Sequence, residues 1–217
     1  MDLHHQSHGS GTVQTPLRVP ISEFAAGLET ISTGLITKQG LYDYLTTYEI
    51  EPDDLKRLEH WEPDRHTRNL ILRNPKLELM LICWNVGNTT PLHTHNGQLG
   101  WMVMGEGKLQ VENFRLRACN KPENQEVVGI DCLAGATEID MEPLDIEICR
   151  PGGPLNTVDK HHTIHRITNL KEWNEPAVSL HVYSLPIDSC VVFDLEAQRC
   201  FRRDLTYDYE APGARRA

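Results

Sequence analysis

From about Thr67 onward, apolar residues come in short runs, each broken by Gly, Pro or Asn. The runs NLILR, LELMLICWNV, LGWMVM, KLQVENF, IEICR, TIHRIT and AVSLHVYSL either alternate with polar residues or stay apolar throughout. Alternation at every second residue marks a strand with one buried face, and a short continuous run marks a strand buried on both. Seven or more such strands at close spacing predict an antiparallel sandwich or barrel. Before Thr67 the texture differs. Leu41, Tyr44, Leu45 and Tyr48 recur at three and four residues, the period of one helix face, and Thr37 is placed to cap that helix. Pro20 and Ser22 predict an earlier helix with Ser22 as its N-cap, and Pro52-Asp53-Asp54 opens a third that carries Leu55 and Leu58. The chain therefore reads as mainly β, with small N-terminal helices over about residues 20–60 packed on an antiparallel β-barrel over about residues 65–195. Residues 1–16, polar and rich in His, Gly and Ser, predict a flexible tail ahead of a single domain over 17–217, and no internal repeat is present.

Composition narrows the partners. The 217 residues carry a formal net charge of −10, with 39% hydrophobic and 24% charged residues, a globular balance. An acidic surface disfavours nucleic acid and anionic membranes, both polyanions. A small anionic substrate stays open, because one buried cation outweighs a diffuse surface field. No run approaches the roughly 20 apolar residues that span a bilayer, and the first residues lack the charged-then-apolar order of a secretory signal. The six cysteines, Cys83, Cys119, Cys132, Cys149, Cys190 and Cys200, form no C-x-x-C pair. A cytoplasmic monomer with reduced thiols is the expectation, with Cys83, Cys149 and Cys190 packed as small hydrophobes. His4, His5 and His8 belong to the tail and are set aside.

The chemistry concentrates in other histidines. His93 and His95 stand two apart in Pro91-Leu92-His93-Thr94-His95, so in a strand both reach one ion from the same face. His165 lies in the apolar strand TIHRIT downstream. Three imidazoles in an open site suit Zn, Fe, Ni or Cu, so the donor set alone does not select iron. No glutamate accompanies the triad as a general base, which argues against a zinc hydrolase. Ser179, His181 and Tyr183 also share one face of a strand whose other face is Leu180 and Val182; such buried polar groups must satisfy one another or a ligand. Arg68 sits beside Leu70, Ile71 and Leu72, and its planar fork suits a carboxylate.

The spacing Gly87-x₅-His93-x-His95-x₄-Gly100-x₆-Gly107 resembles the first cupin motif, and His165-x₃-Asn169 resembles the second. The usual cupin glutamate is missing, since Leu99 and Gly100 stand where it falls, and Lys160 and His162 replace the Pro-x-Gly before the second motif. His66-Thr67-Arg68-Asn69-Leu70-Ile71, with the run Leu79 to Trp84, looks like the substrate-binding strands of cysteine dioxygenase. Glu175 to Ser184, followed by Asp188-Ser189-Cys190 and Phe193-Asp194, is similar to the C-terminal signature of that family. The resemblance to the cysteine dioxygenase type I family runs in order from Arg65 to Asp194. It implies a double-stranded jelly roll, with Fe(II) held by His93, His95 and His165. It also implies Arg68 on the substrate carboxylate with His66 beside it, and a relay of Ser179, His181 and Tyr183. The reaction implied is the O₂-dependent conversion of L-cysteine to cysteine sulfinic acid, so the partners are a small thiol and O₂.

Departures from the family carry their own expectations. Gly100 stands where animal members have a cysteine that cross-links to the tyrosine, so Tyr183 is expected unmodified, as in bacterial members. His66 replaces a tyrosine, and Leu185-Pro186 replaces Pro-Pro, which makes a cis bond at Leu185 costly by about 2.5–4 kcal/mol and predicts a different turn. His161 and His162 precede the third ligand, Trp84, Trp101 and Met102 read as core or pocket wall, and the residues beyond Leu205 carry no readable signal. Oxidation of another thiol carboxylate such as 3-mercaptopropionate, or a non-catalytic metal-binding cupin, are the alternatives.

Overall fold

The computed structural model describes residues 15–95, 98–119, 138–158 and 164–215. The expected tail, together with His161 and His162, falls outside the described residues, apart from Thr15 and Pro16 at the tail's end. In chain order the elements are β1 (Leu17–Val19), α1 (Ile21–Thr33), α2 (Lys38–Thr47), β2 (Tyr48–Ile50), α3 (Pro52–Leu58), β3 (Thr67–Asn74), β4 (Leu77–Trp84), β5 (Leu92–His93), β6 (Leu99–Glu106), β7 (Leu109–Cys119), β8 (Ile139–Cys149), β9 (Asn156–Val158), β10 (Ile164–Thr168), β11 (Ala177–Ser184), β12 (Ser189–Asp194), β13 (Arg199–Asp204) and β14 (Tyr209–Glu210). Among the described residues the fold is mainly β with three α-helices, as the pattern predicts.

Local chemistry explains the helix starts. The Thr37 hydroxyl accepts from the Gly40 N–H at 3.0 Å and so caps α2. Pro52 opens α3, where its missing N–H costs nothing, and Asp53 and Asp54 sit in the first turn near the positive end of the helix. Ser22, expected as the cap of α1, lies inside the helix instead; Pro20 holds the cap position without a side-chain bond. Its place is taken from a distance: the Asp54 carboxylate accepts the Ile21 N–H at 2.7 Å, which ties α3 to the start of α1.

Two six-stranded sheets form the body, ordered β13-β12-β5-β10-β7-β8 and β14-β3-β4-β11-β6-β9, and a short β1–β2 pair lies apart. Among the described residues the two sheets share no ladder, so the jelly roll is two facing sheets rather than a closed barrel. The helices cover the outer face of the second sheet, and this layering accounts for β4. Leu79, Leu81 and Cys83 pack toward Phe24, Leu28 and Leu41 of the helices, while Met80, Ile82 and Trp84 pack inward between the sheets. A strand buried on both faces needs no alternation, which is why LELMLICW reads as one run. β11 obeys the same geometry with different chemistry. Val178, Leu180 and Val182 face the helices, and Ser179, His181 and Tyr183 face the space between the sheets.

A bulge in β3 has a further effect. Arg68 pairs with Ile82 and Leu70 with Met80, then the register slips so that Leu72 meets Leu79 and Arg73 meets Glu78. The extra residue reverses the alternation, so Arg68 and Arg73, five apart, come to share the inner face. β14 then runs parallel to β3, pairing Tyr209 with Asn69 and Glu210 with Leu70.

Candidate active site

A cavity of roughly 220 Å³ opens between the two sheets. His93 on β5 pairs in register with His165 on β10, which sets two imidazoles on adjacent strands facing this cavity. β5 ends at His93, so His95 comes not from the same regular strand but from the segment just after it, and still converges. The ligand atoms of the three rings all lie within 4.8 Å of one another, with ring centroids 4.7 to 5.0 Å apart. The His93 Nδ1–H donates to the Pro91 carbonyl at 2.9 Å, which turns Nε2 toward the centre. Burial pushes the protonation of His93 down and that of His165 far down, so both rings stay neutral donors at pH 7. Both nitrogens of His165 are buried without a hydrogen-bond partner. A buried imidazole with nothing to bond fits a metal ion, and neutral nitrogen donors at this spacing fit Fe(II), Zn, Ni or Cu.

The facing wall carries a hydrogen-bonded chain. The Trp84 indole N–H, which can only donate, reaches Ser179 Oγ at 2.9 Å. Ser179 Oγ lies 2.8 Å from His181 Nε2, and His181 Nδ1 lies 3.2 Å from the Tyr183 hydroxyl. Trp84 can only donate, and His181 Nε2 is the acceptor that the Ser179 hydroxyl proton reaches, which sets the protons along the chain. Ser179 accepts from Trp84 and donates to Nε2, His181 keeps its proton on Nδ1 and donates to the phenol oxygen, and the Tyr183 proton is left for the cavity. Burial holds His181 neutral, with its pKa pushed down to about 3, and raises that of Tyr183, so the phenol keeps its proton. The Tyr183 ring lies against His95 at 5.8 Å between centroids, so the end of this chain meets the triad.

Arg68 and His66 line the same cavity. His66 stacks on Trp84 with centroids 4.8 Å apart, and burial first, then the nearby His93 and Arg68, push its pKa down to about 4. Arg68 is not free: its guanidinium faces the fully buried Glu78 carboxylate at 3.4 Å, donates to the Thr206 carbonyl at 3.2 Å and lies over the Tyr207 ring at 5.2 Å. Glu78 also accepts from Arg73 at 3.2 Å and from the Tyr207 hydroxyl at 2.5 Å. Sequence reasoning passed over Glu78 and Tyr207. The lone glutamate in LELMLICW was the available signal, because an ionised residue in a fully buried strand requires partners; Tyr207 offers none.

The family model described as cysteine dioxygenase type I matches residues 22–196, most of the chain. The chain belongs to the cysteine dioxygenase type I family. "Cysteine dioxygenase type 1" of Danio rerio is 27% identical over 165 residues, covering 73% of this chain and 71% of that protein. The human protein of the same name is 27% identical over 151 residues, covering 69% and 66%. Among solved structures, a protein from Thermus thermophilus superimposes at a TM-score of 0.42 with 19% identity, over 61% of this chain and 94% of that one, too distant to add to the assignment.

As a cysteine dioxygenase type I family member, the chain departs at the positions noted in the sequence. Gly100 pairs directly with Tyr183 across the β6–β11 ladder, and a Cβ built on it would stand 2.9 Å from the tyrosine ring. Any side chain here displaces that ring or bonds to it, and glycine does neither. At the Leu185-Pro186 turn the described peptide bonds are all trans, and Leu185 instead takes φ 71°, a conformation rare for leucine.

Proposed function

We propose that the protein is an Fe(II)- and O₂-dependent thiol dioxygenase that converts L-cysteine to cysteine sulfinic acid, RSH + O₂ giving RSO₂H with both oxygen atoms on sulfur. One observation carries the reading: three imidazoles and the phenol end of the Trp84-Ser179-His181-Tyr183 chain converge on one small cavity. His93, His95 and His165 hold the ion, and membership of the family supports iron over zinc. A ferrous ion, when bound, supplies O₂ activation and a cation that lowers the thiol pKa. Tyr183 donates a hydrogen bond into the cavity beside the triad. His181, neutral and fixed in one tautomer, holds that phenol in place, and Ser179 fixes His181. Arg68 and His66 face the carboxylate end of the substrate. Cys83, Cys149, Cys190 and Cys200 are buried, and none forms a disulfide among the described residues, which supports a reducing cytoplasmic setting.

Oxidation of 3-mercaptopropionate is the second reading, left open by His66 in place of a tyrosine. The test is anaerobic purification with Fe(II), then O₂ uptake and product mass with L-cysteine and 3-mercaptopropionate at equal concentration. Cysteine sulfinate formed at one O₂ per thiol is the expected outcome. Protein carrying stoichiometric iron that consumes no O₂ with either thiol is a metal-binding cupin and not this enzyme.

A further inference from the structure

Three arginines line the cavity, and neither cupin motif marks the third, Arg203; Arg65 is paired with Asp208 at 2.5 Å. β13 runs antiparallel to β12 and sets Arg203 directly opposite Cys190. Directly opposed residues share a face, and Cys190 lines the cavity, so Arg203 stands on the inner side at the mouth. Its side chain is exposed and makes no ion pair or hydrogen bond among the described residues, although Asp204 follows it at the same mouth. Its field still reaches inward to His66, His93 and Cys190, the same groups that feel Arg68. Arg68 is the opposite case. Its charge is shared with Glu78, and its donors point at Glu78 and the Thr206 carbonyl. A carboxylate arriving at Arg68 meets another carboxylate beside it; one arriving at Arg203 meets an unspent charge and an open planar fork.

We propose that Arg203 is the specificity-determining cation of this site, taking the substrate carboxylate at the cavity mouth with Arg68 behind it. The substrate class is then a small thiol with a carboxylate at the end away from sulfur. This rests on the dioxygenase reading and deepens it.

The test uses the iron-loaded enzyme and the variants R203Q and R203K, which alter an exposed side chain and leave the core untouched. For turnover, the ratio of kcat/KM with L-cysteine to that with cysteamine, which lacks the carboxylate, is expected to fall about fivefold in R203Q and to recover in part in R203K. A ratio unchanged in R203Q overturns the proposal. The second readout is anaerobic calorimetry of L-cysteine binding. Weaker binding to R203Q, with cysteamine binding unaltered, supports it, and equal binding to R203Q and wild type overturns it. Should the wild type oxidise no thiol, the dioxygenase reading fails, and the calorimetric comparison still decides the role of Arg203.

Discussion

His165 and Ser179 are both buried polar side chains, set on facing sheets of one cavity, yet their surroundings differ. His165 has two ring nitrogens with no hydrogen-bond partner, while Ser179 accepts from Trp84 and contacts His181. An unsatisfied buried group costs about 1–3 kcal/mol. The histidine wall is therefore kept incomplete by the packing around it, whereas the β11 wall is complete in the protein alone. One wall is built to receive a ligand and the other to stay fixed while it does so.

The sharpest way to separate the walls is His165→Ala. Metal content measured by mass spectrometry should collapse, and turnover should fall by about three orders of magnitude or more, while the metal-free variant stays as stable as the metal-free parent or becomes more so. A large loss of metal-free stability would show that the ring was satisfied after all. Tyr183→Phe should do the reverse, keeping full iron content and losing about 10²-fold in kcat.

Acid should reach the wall opposite the triad. His66 and His181 are held down to about 4 and about 3, below the ordinary value of roughly 6.5. As pH falls through 6.5 the unfolded chain takes up these protons first, so stability is full above that point and drains away toward pH 4. Urea denaturation of the metal-free protein should lose roughly 2 kcal/mol between pH 7 and pH 5.5 from these two rings, with His93 and His165 adding to the loss; a flat profile across that window contradicts the buried neutral rings. Trp84→Phe removes the indole N–H that donates to Ser179 Oγ. It should cost about 1 kcal/mol of stability and reduce kcat less than Tyr183→Phe does, with iron unchanged. The smallest effect lies outside both walls: Leu185→Asn relieves a positive φ at an exposed side chain and should raise stability by about 0.5 kcal/mol in the same urea assay.

Much of the metal wall was legible because its residues are close in sequence or spaced at strand period. His93 and His95 are two apart, and His165 sits in the only short apolar run with a histidine at its centre besides β11. Ser179, His181 and Tyr183 were legible for the same reason, since a period of two turns sequence directly into a face. The arginine wall was not. Tyr207 meets Glu78 across 129 positions of chain, and no local pattern encodes that contact. β13 reads RCFRRD, too polar to look like a strand, because most of its residues are exposed and only Cys200 is buried. The bulge in β3 escaped as well, so the shared face of Arg68 and Arg73 contradicts their odd spacing until the register slip is seen.

β14 fastens the edge of β3 that carries Arg68. Asp208 and Ala211 donate their N–H groups to the Arg68 and Leu70 carbonyls, and Ala214 receives the Arg73 N–H. The placing of Arg68 is thereby delegated to a short strap, away from the imidazoles. On the proposed function, clipping or crowding that strap, by a protease or by an appended affinity tag, should leave the triad in place and loosen the cation beside it.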